Sequence, residues 1–147
     1  MSDSVTPVVY DGTADASSIY SDDYVAQYAF NQENSDARWC SEAGYPGEIW
    51  FKFTSAVKLV KISFSSIHGQ WWTETPKAFN VIASNDCINW NILLSVTNSG
   101  FTGENQEKFW QIPCFKQKSY QCYGIKGTEN LGYGTDYISL KKLMMFE

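Results

Sequence analysis

From residue 49 onward, hydrophobic and polar positions alternate with a period of two. In EIWFKF, Ile49, Phe51 and Phe53 alternate with Trp50 and Lys52; in LVKISF, Val60, Ile62 and Phe64 alternate with Leu59, Lys61 and Ser63. Successive side chains of a strand point to opposite faces, so this pattern predicts half-buried strands. It returns at residues 79–84, 90–96, 108–112, 120–126 and 137–146. Turn-forming clusters lie between the runs: SNDCIN, TNSGFTGEN and GTENLGYGTD. Helical periodicity is confined to residues 22–30 (DDYVAQYAF), where Tyr24, Val25 and Tyr28 share a side behind an Asp or Ser cap. Short strands without helices alternating between them predict an all-β antiparallel sandwich or barrel rather than a βαβ sheet.

Composition narrows this further. A chain of 147 residues is the size of one domain, and such a chain buries roughly 68–70% of its unfolded surface. Aromatics make up 16% of it, with six Trp, nine Tyr and nine Phe, against 18% charged residues. That balance excludes disorder and fibres and suits a β-sandwich or a binding surface made of rings. The net charge of −5 argues against nucleic acid, whose phosphates need a basic face. The charge is split: residues 1–48 hold nine acids and Arg38, the rest ten lysines and seven acids. No apolar run approaches the ~20 residues that cross a bilayer. The start, MSDSVTPVVYDGTADASS, lacks the basic and apolar regions of a signal peptide, so the expectation is a cytosolic chain or one whose leader has been trimmed. With a single His and no CxxC pair, zinc is not expected. The four cysteines allow three pairings; Cys114 and Cys122, flanking KQKS, would face each other if that segment were a hairpin turn, and all four would equally serve as small buried hydrophobes.

Four strings in register resemble the discoidin domain, also called the coagulation factor V/VIII type C domain: AFNQENSDARWCSE, EIWFKFTSAVKLVKISF, FNVIASNDCINW and YGIKGTENLGYGTDYISLKKL. The likeness covers about residues 18–146, leaving residues 1–17 as an N-terminal extension and 18–147 as the domain. It implies a single jelly-roll β-sandwich with one short helix near the N-terminus. Loops at one end would form the ligand site. It also implies an extracellular setting and non-catalytic binding of glycans, anionic lipids or proteins. The residues agree. Ser84, Asn85, Asp86 and Asn89 are the side chains that close a hairpin turn through local hydrogen bonds. Trp90 would then enter the core, and Arg38–Trp39 reads as a structural pair at the sandwich edge.

Two constellations bear on function. Asn31, Glu33, Asn34 and Asp36 put four oxygen-bearing side chains within six residues, a density suited to calcium. The resemblance places a calcium site in this loop, with the metal set Asn31, Glu33 and Asp36. It also shows departures: Asn31 stands where the family has Asp, and Lys142 stands where the closing strand usually carries Glu. A lysine ammonium there would supply the charge an ion would have brought. The second constellation is the loop of His68, Gln70, Trp71, Trp72 and Glu74, with Tyr133 beside glycines further on. Sugar binders need a flat aromatic face and a few fixed polar groups, and this set offers both. On a strand, adjacent tryptophans face opposite ways, so one of Trp71 and Trp72 is expected in the core. Glu104, Asn105 and Gln106 are expected at the same end. The resemblance implies a His with an Arg partner; with Arg38 read as structural, none remains. The expectation is a lectin-like, carbohydrate-binding module, with calcium in the loop and multivalent homo-oligomers. The alternative is a cell-adhesion module that binds a protein partner or anionic lipid through the same loops. One His, no nucleophile motif and no phosphate-cradling glycine loop argue against an enzyme.

Overall fold

A computed structural model describes residues 5–30 and 36–147. Nine strands are described: β1 (Gly12–Ala16), β2 (Trp39–Cys40), β3 (Gly47–Lys58), β4 (Lys61–Ser65), β5 (Pro76–Ser84), β6 (Asn91–Val96), β7 (Glu107–Gln111), β8 (Ser119–Asn130) and β9 (Ser139–Phe146). They form two antiparallel sheets, one ordered β1-β3-β8-β5-β6 and the other β2-β9-β4-β7. The two sheets make the all-β sandwich that the alternation predicts.

The inward row of each strand makes the core. Ile49, Phe51 and Phe53 of β3 are buried, and Phe64 of β4 lies 4.7 Å from the Trp110 ring and 5.2 Å from Phe79. On the outer face of the larger sheet, Trp50, Gly124 and Ile82 form one cross-strand row. A Cβ on Gly124 would sit 2.1 Å from the Ile49 carbonyl oxygen and 2.8 Å from the Trp50 Cβ, so only glycine lets β3 and β8 close here. Trp90 belongs to this outer face: its ring lies 5.6 Å from Trp50, and it is only half-buried. The expectation that Trp90 enters the core is therefore corrected.

Three further expectations change. The expected short helix over residues 22–30 is two 3₁₀ turns, Asp22–Tyr24 and Ala26–Phe30, separated by Val25 in extended backbone. Ser21 Oγ caps the first by accepting from the Asp23 N–H. Within the stretch expected as an N-terminal extension, residues 12–16 form β1 on β3 and Pro7 bridges to Phe146. Finally, the disulfide joins Cys87 to Cys122, leaving Cys40 buried and Cys114 exposed as free thiols. Cys114 does not face Cys122, because the intervening chain turns through the 3₁₀ segment Cys114–Lys116 before β8 starts. Cys122 instead pairs with Ser84 at the end of β5, where the chain turns and brings Cys87 round at φ +57°.

Candidate functional site

At the end of the sandwich where β5 begins, four loops converge on a cavity of about 460 Å³. Its floor lies on the outer face of the smaller sheet. In Arg38-Trp39-Cys40 the period of two sends Trp39 fully into the core and turns Arg38 and Cys40 the other way, into the cavity. Arg38 is only 8% exposed. Its guanidinium carbon stands 4.8 Å from the Tyr24 ring centroid and 5.3 Å from that of Trp71, distances at which a cation is attracted to both rings. Arg38 Nη2 lies 3.6 Å from Glu74 Oε1. The same Glu74 oxygen accepts a 2.7 Å hydrogen bond from Ser139 Oγ and faces Cys40 Sγ at 4.0 Å. Burial pushes the Cys40 thiol up to about 11, so it stays protonated at neutral pH and is no nucleophile.

One wall is the 3₁₀ segment Gly69–Glu74. Its ends are pinned where Thr75 Oγ1 accepts from the Ile67 N–H at 3.0 Å. Gly69, at φ +63°, makes the bend that L side chains resist. His68 packs edge-on against Trp71 (5.7 Å, 71°), with its Nδ1 3.6 Å from Asp36 Oδ1. Burial lowers the His68 pKa and the Asp36 carboxylate partly offsets this, so the imidazole is neutral at pH 7. The opposite wall is a chain of tyrosines: Tyr24–Tyr20 at 5.7 Å, Tyr20–Tyr137 at 5.3 Å and Tyr137–Tyr133 at 6.0 Å. Buried Asn130 organises that wall: its amide donates to the carbonyls of Thr135 and Tyr137, and its Oδ1 accepts from the Gly132 N–H. The Leu131 N–H donates to the Thr73 and Thr75 carbonyls, tying the two walls together. Two cavity nitrogens, Arg38 Nε and His68 Nδ1, are buried without a hydrogen-bond partner among the described residues.

Of the residues singled out in the sequence, His68, Trp71, Glu74 and Tyr133 line the cavity, and Gln70 and Trp72 do not. Neither tryptophan is core; both are half-buried, because the segment is a 3₁₀ helix and not a strand. Gln106 is engaged with Thr102 through two hydrogen bonds, so it is not offered to a ligand. Of the proposed metal set, Asn31 and Glu33 lie outside the described residues, as does Asn34. Asp36 sits at the cavity rim with its side chain 72% exposed. Among the described residues no group of three or more His, Cys, Asp or Glu is placed to hold a metal ion. The closing-strand lysine is also displaced by one: Lys142 is half-buried on a bulge at φ +51°, and Lys141 is the one that is buried.

Sequence reasoning missed Arg38, Tyr20, Tyr24 and Tyr137. Arg38, the only arginine in the chain, lines the same cavity as His68. Its signal was in the sequence, since a charge alternating with Trp39 must face away from the core. The tyrosines carried no such signal: Tyr24 stands in a segment read as helical and Tyr137 at the start of a run read as a strand, and neither pattern says which segments meet.

No protein-family model and no curated protein matches the chain. Solved structures do. The family 32 carbohydrate-binding module of Clostridium perfringens NanJ, in complex with galactose, superposes with a TM-score of 0.77 at 17% identity, covering 97% of this chain and 99% of that one. A second C. perfringens module, in complex with GalNAc-β-1,3-galactose, gives 0.77 at 15% identity over 92% and 94%. Chitosan-binding module 2 of a Paenibacillus sp. IK-5 chitosanase/glucanase, in complex with chitotriose, gives 0.73 at 17% over 93% and 97%. At these identities the likeness establishes the fold: the chain is built as these modules are.

Proposed function

We propose that the protein is a non-catalytic carbohydrate-binding module that takes a glycan terminus into the ring-walled cavity. The observation that carries this reading is the pairing of aromatic walls with buried, unpartnered donors. Trp71 and the tyrosines offer faces for the apolar side of a pyranose, and Arg38 Nε and His68 Nδ1 stand ready for its hydroxyl groups. A buried donor without a partner is costly, and an incoming acceptor recovers that cost. The cavity volume falls in the range of small-ligand sites, roughly 300–1,000 Å³. Its fold neighbours hold galactose, GalNAc-β-1,3-galactose and chitotriose, which supports a sugar as the ligand class.

The charge balance favours a neutral sugar over an anionic one: the Arg38 charge is compensated by Glu74, His68 is uncharged at pH 7, and Asp36 adds a carboxylate at the rim. An anionic lipid surface is disfavoured, because juxtamembrane attraction needs several exposed cations and no lysine lines the cavity.

The test is a glycan array followed by calorimetric titration of the best hit. The expected result is retention of a neutral glycan, abolished by Arg38→Met and weakened about tenfold by Trp71→Ala. Folded wild-type protein that retains no sugar at any density would overturn the reading.

A further inference from the structure

At the end of the sandwich where β5 stops, a groove of about 500 Å³ opens beside the edge strand β6. β5 makes its last pair with β8 at Ser84↔Cys122, whereas β8 begins earlier, at Ser119. Tyr120 lines the groove from β8, Trp90 and Ile92 line it from the β6 side, and the connection from β7 to β8 supplies Phe115, Lys116 and Lys118. That connection is pinned at three points. Gln117 Nε2 donates to the Ile112 carbonyl at 2.9 Å, Lys116 Nζ donates to the Ile92 carbonyl at 2.9 Å, and the Lys118 carbonyl stands 2.8 Å from the buried Tyr123 hydroxyl. Trp90 leans on Trp50 at 5.6 Å. On this fixed frame Phe115 is 79% exposed and Ile92 47%, and large apolar side chains held in water beside one groove mark a contact surface. Charge gives the sign of what it contacts. The groove is lined by two lysines and no carboxylate, whereas the first cavity sets Arg38 against Glu74 and Asp36. On a chain of net charge −5 this is a local cationic site, complementary to an anion.

We propose that this groove is a second saccharide site, one that takes an acidic sugar. Phe115 and Trp90 meet the apolar side of the sugar ring, and Lys116 and Lys118 meet its carboxylate or sulfate. After its bond to Ile92, the Lys116 ammonium keeps two N–H donors to give. The volume lies in the range of small-ligand sites, roughly 300–1,000 Å³. An added peptide strand fits less well, because the Ile92 carbonyl on the edge strand is already taken by Lys116. The inference uses no residue of the first cavity and stands apart from the reading of that cavity.

The experiment titrates the full chain, by calorimetry, with oligogalacturonate, oligoglucuronate, sialyllactose and sulfated lactose. At least one should bind, with an affinity that falls as NaCl is raised to about 0.5 M. The uncharged counterpart of that sugar, its methyl ester or plain lactose, should bind about ten times more weakly. Phe115→Ala and Lys118→Met, both at exposed positions, should keep the wild-type melting temperature and weaken the acidic sugar several-fold. Trp71→Ala, altered in the first cavity, should leave acidic-sugar binding unchanged. No acidic sugar bound at millimolar concentration would overturn the proposal, as would binding that survives both groove substitutions or that disappears with Trp71→Ala. An oligo-aspartate peptide bound as tightly as the best sugar would overturn the saccharide in favour of an acidic peptide. Phosphatidylserine vesicles retained where no sugar binds would overturn it in favour of a lipid surface.

Discussion

At the turn between β5 and β6, residues 84–89, polar groups are spent on one another. Ser84 Oγ accepts from the Asp86 and Cys87 N–H groups and donates to Asp86 Oδ1. Asp86 also accepts from the N–H groups of Ile88 and Asn89 and from the Asn89 side-chain amide. The Cys87–Cys122 disulfide ties the turn to β8. At the opposite end, the loops carrying His68 and Tyr133 are anchored through Thr75 and Asn130, yet Arg38 Nε and His68 Nδ1 stay buried without a hydrogen-bond partner among the described residues. Both ends are held by side-chain hydrogen bonds; among the described residues, only the cavity end keeps buried nitrogens in reserve. That difference separates a loop that closes a sheet from a loop that waits for a ligand, since a spare buried donor lowers stability unless something else meets it.

The comparison can be broken most forcefully at Arg38. Arg38→Met leaves Glu74 buried without its cation, which should cost about 3 kcal/mol of unfolding free energy in urea and abolish glycan binding. Arg38→Lys keeps the charge but loses the planar group between Tyr24 and Trp71, so binding should fall while most of the stability remains.

The far end should behave conversely. Removing the disulfide as Cys87→Ser with Cys122→Ser opens a 35-residue separation and should cost about 3–4 kcal/mol. Glycan affinity, measured on the folded fraction, should be unchanged; a matching loss of affinity would show that the two ends are not independent.

A smaller effect separates neighbours in sequence. Trp71→Ala should weaken binding about tenfold, and Trp72→Ala, outside the cavity, should leave it within error.

The smallest effect lies at Asp86, whose carboxyl is held well below its ordinary value of 3.8 by hydrogen bonds from Asn89, Ile88 and Ser84. A depressed folded-state pKa gives stability that is present above the unfolded value and lost as pH falls through the folded one. Asp86→Ala should therefore lower Tm at pH 7, and the gap should close as pH is taken below 3.8. A gap that persists unchanged in acid would mean the carboxylate is not what holds the turn.

How much of this was legible depends on the length of chain that carries each feature. The strands from β3 onward were readable because their alternation runs over five residues or more. β1, GTADA, has no hydrophobic row to read: it is an edge strand that takes its order from pairing with β3. β2 is two residues long, too short for any period. The Ser84–Asn89 turn was readable because its hydrogen bonds join residues at most three apart. The cavity was readable only in part. His68, Trp71, Glu74 and Tyr133 stood out by residue type, whereas nothing in the sequence marks Tyr20, Tyr24 and Tyr137 as cavity residues until the chain segments are brought together.

Sequence alone determined the strands from β3 onward, their inward rows and the turn chemistry, because these follow from contacts between near neighbours and from a period of two. The tertiary structure alone decided which cysteine meets Cys122, which of two adjacent lysines is buried, and which rings share a wall. A single bulge between Ser63 and Ser65 shifts the register by one residue and puts Lys141 where simple alternation would not. Tyr20 and Tyr137 are distant in the chain but 5.3 Å apart in the fold. No local pattern encodes such meetings, because the packing of the two sheets brings them about.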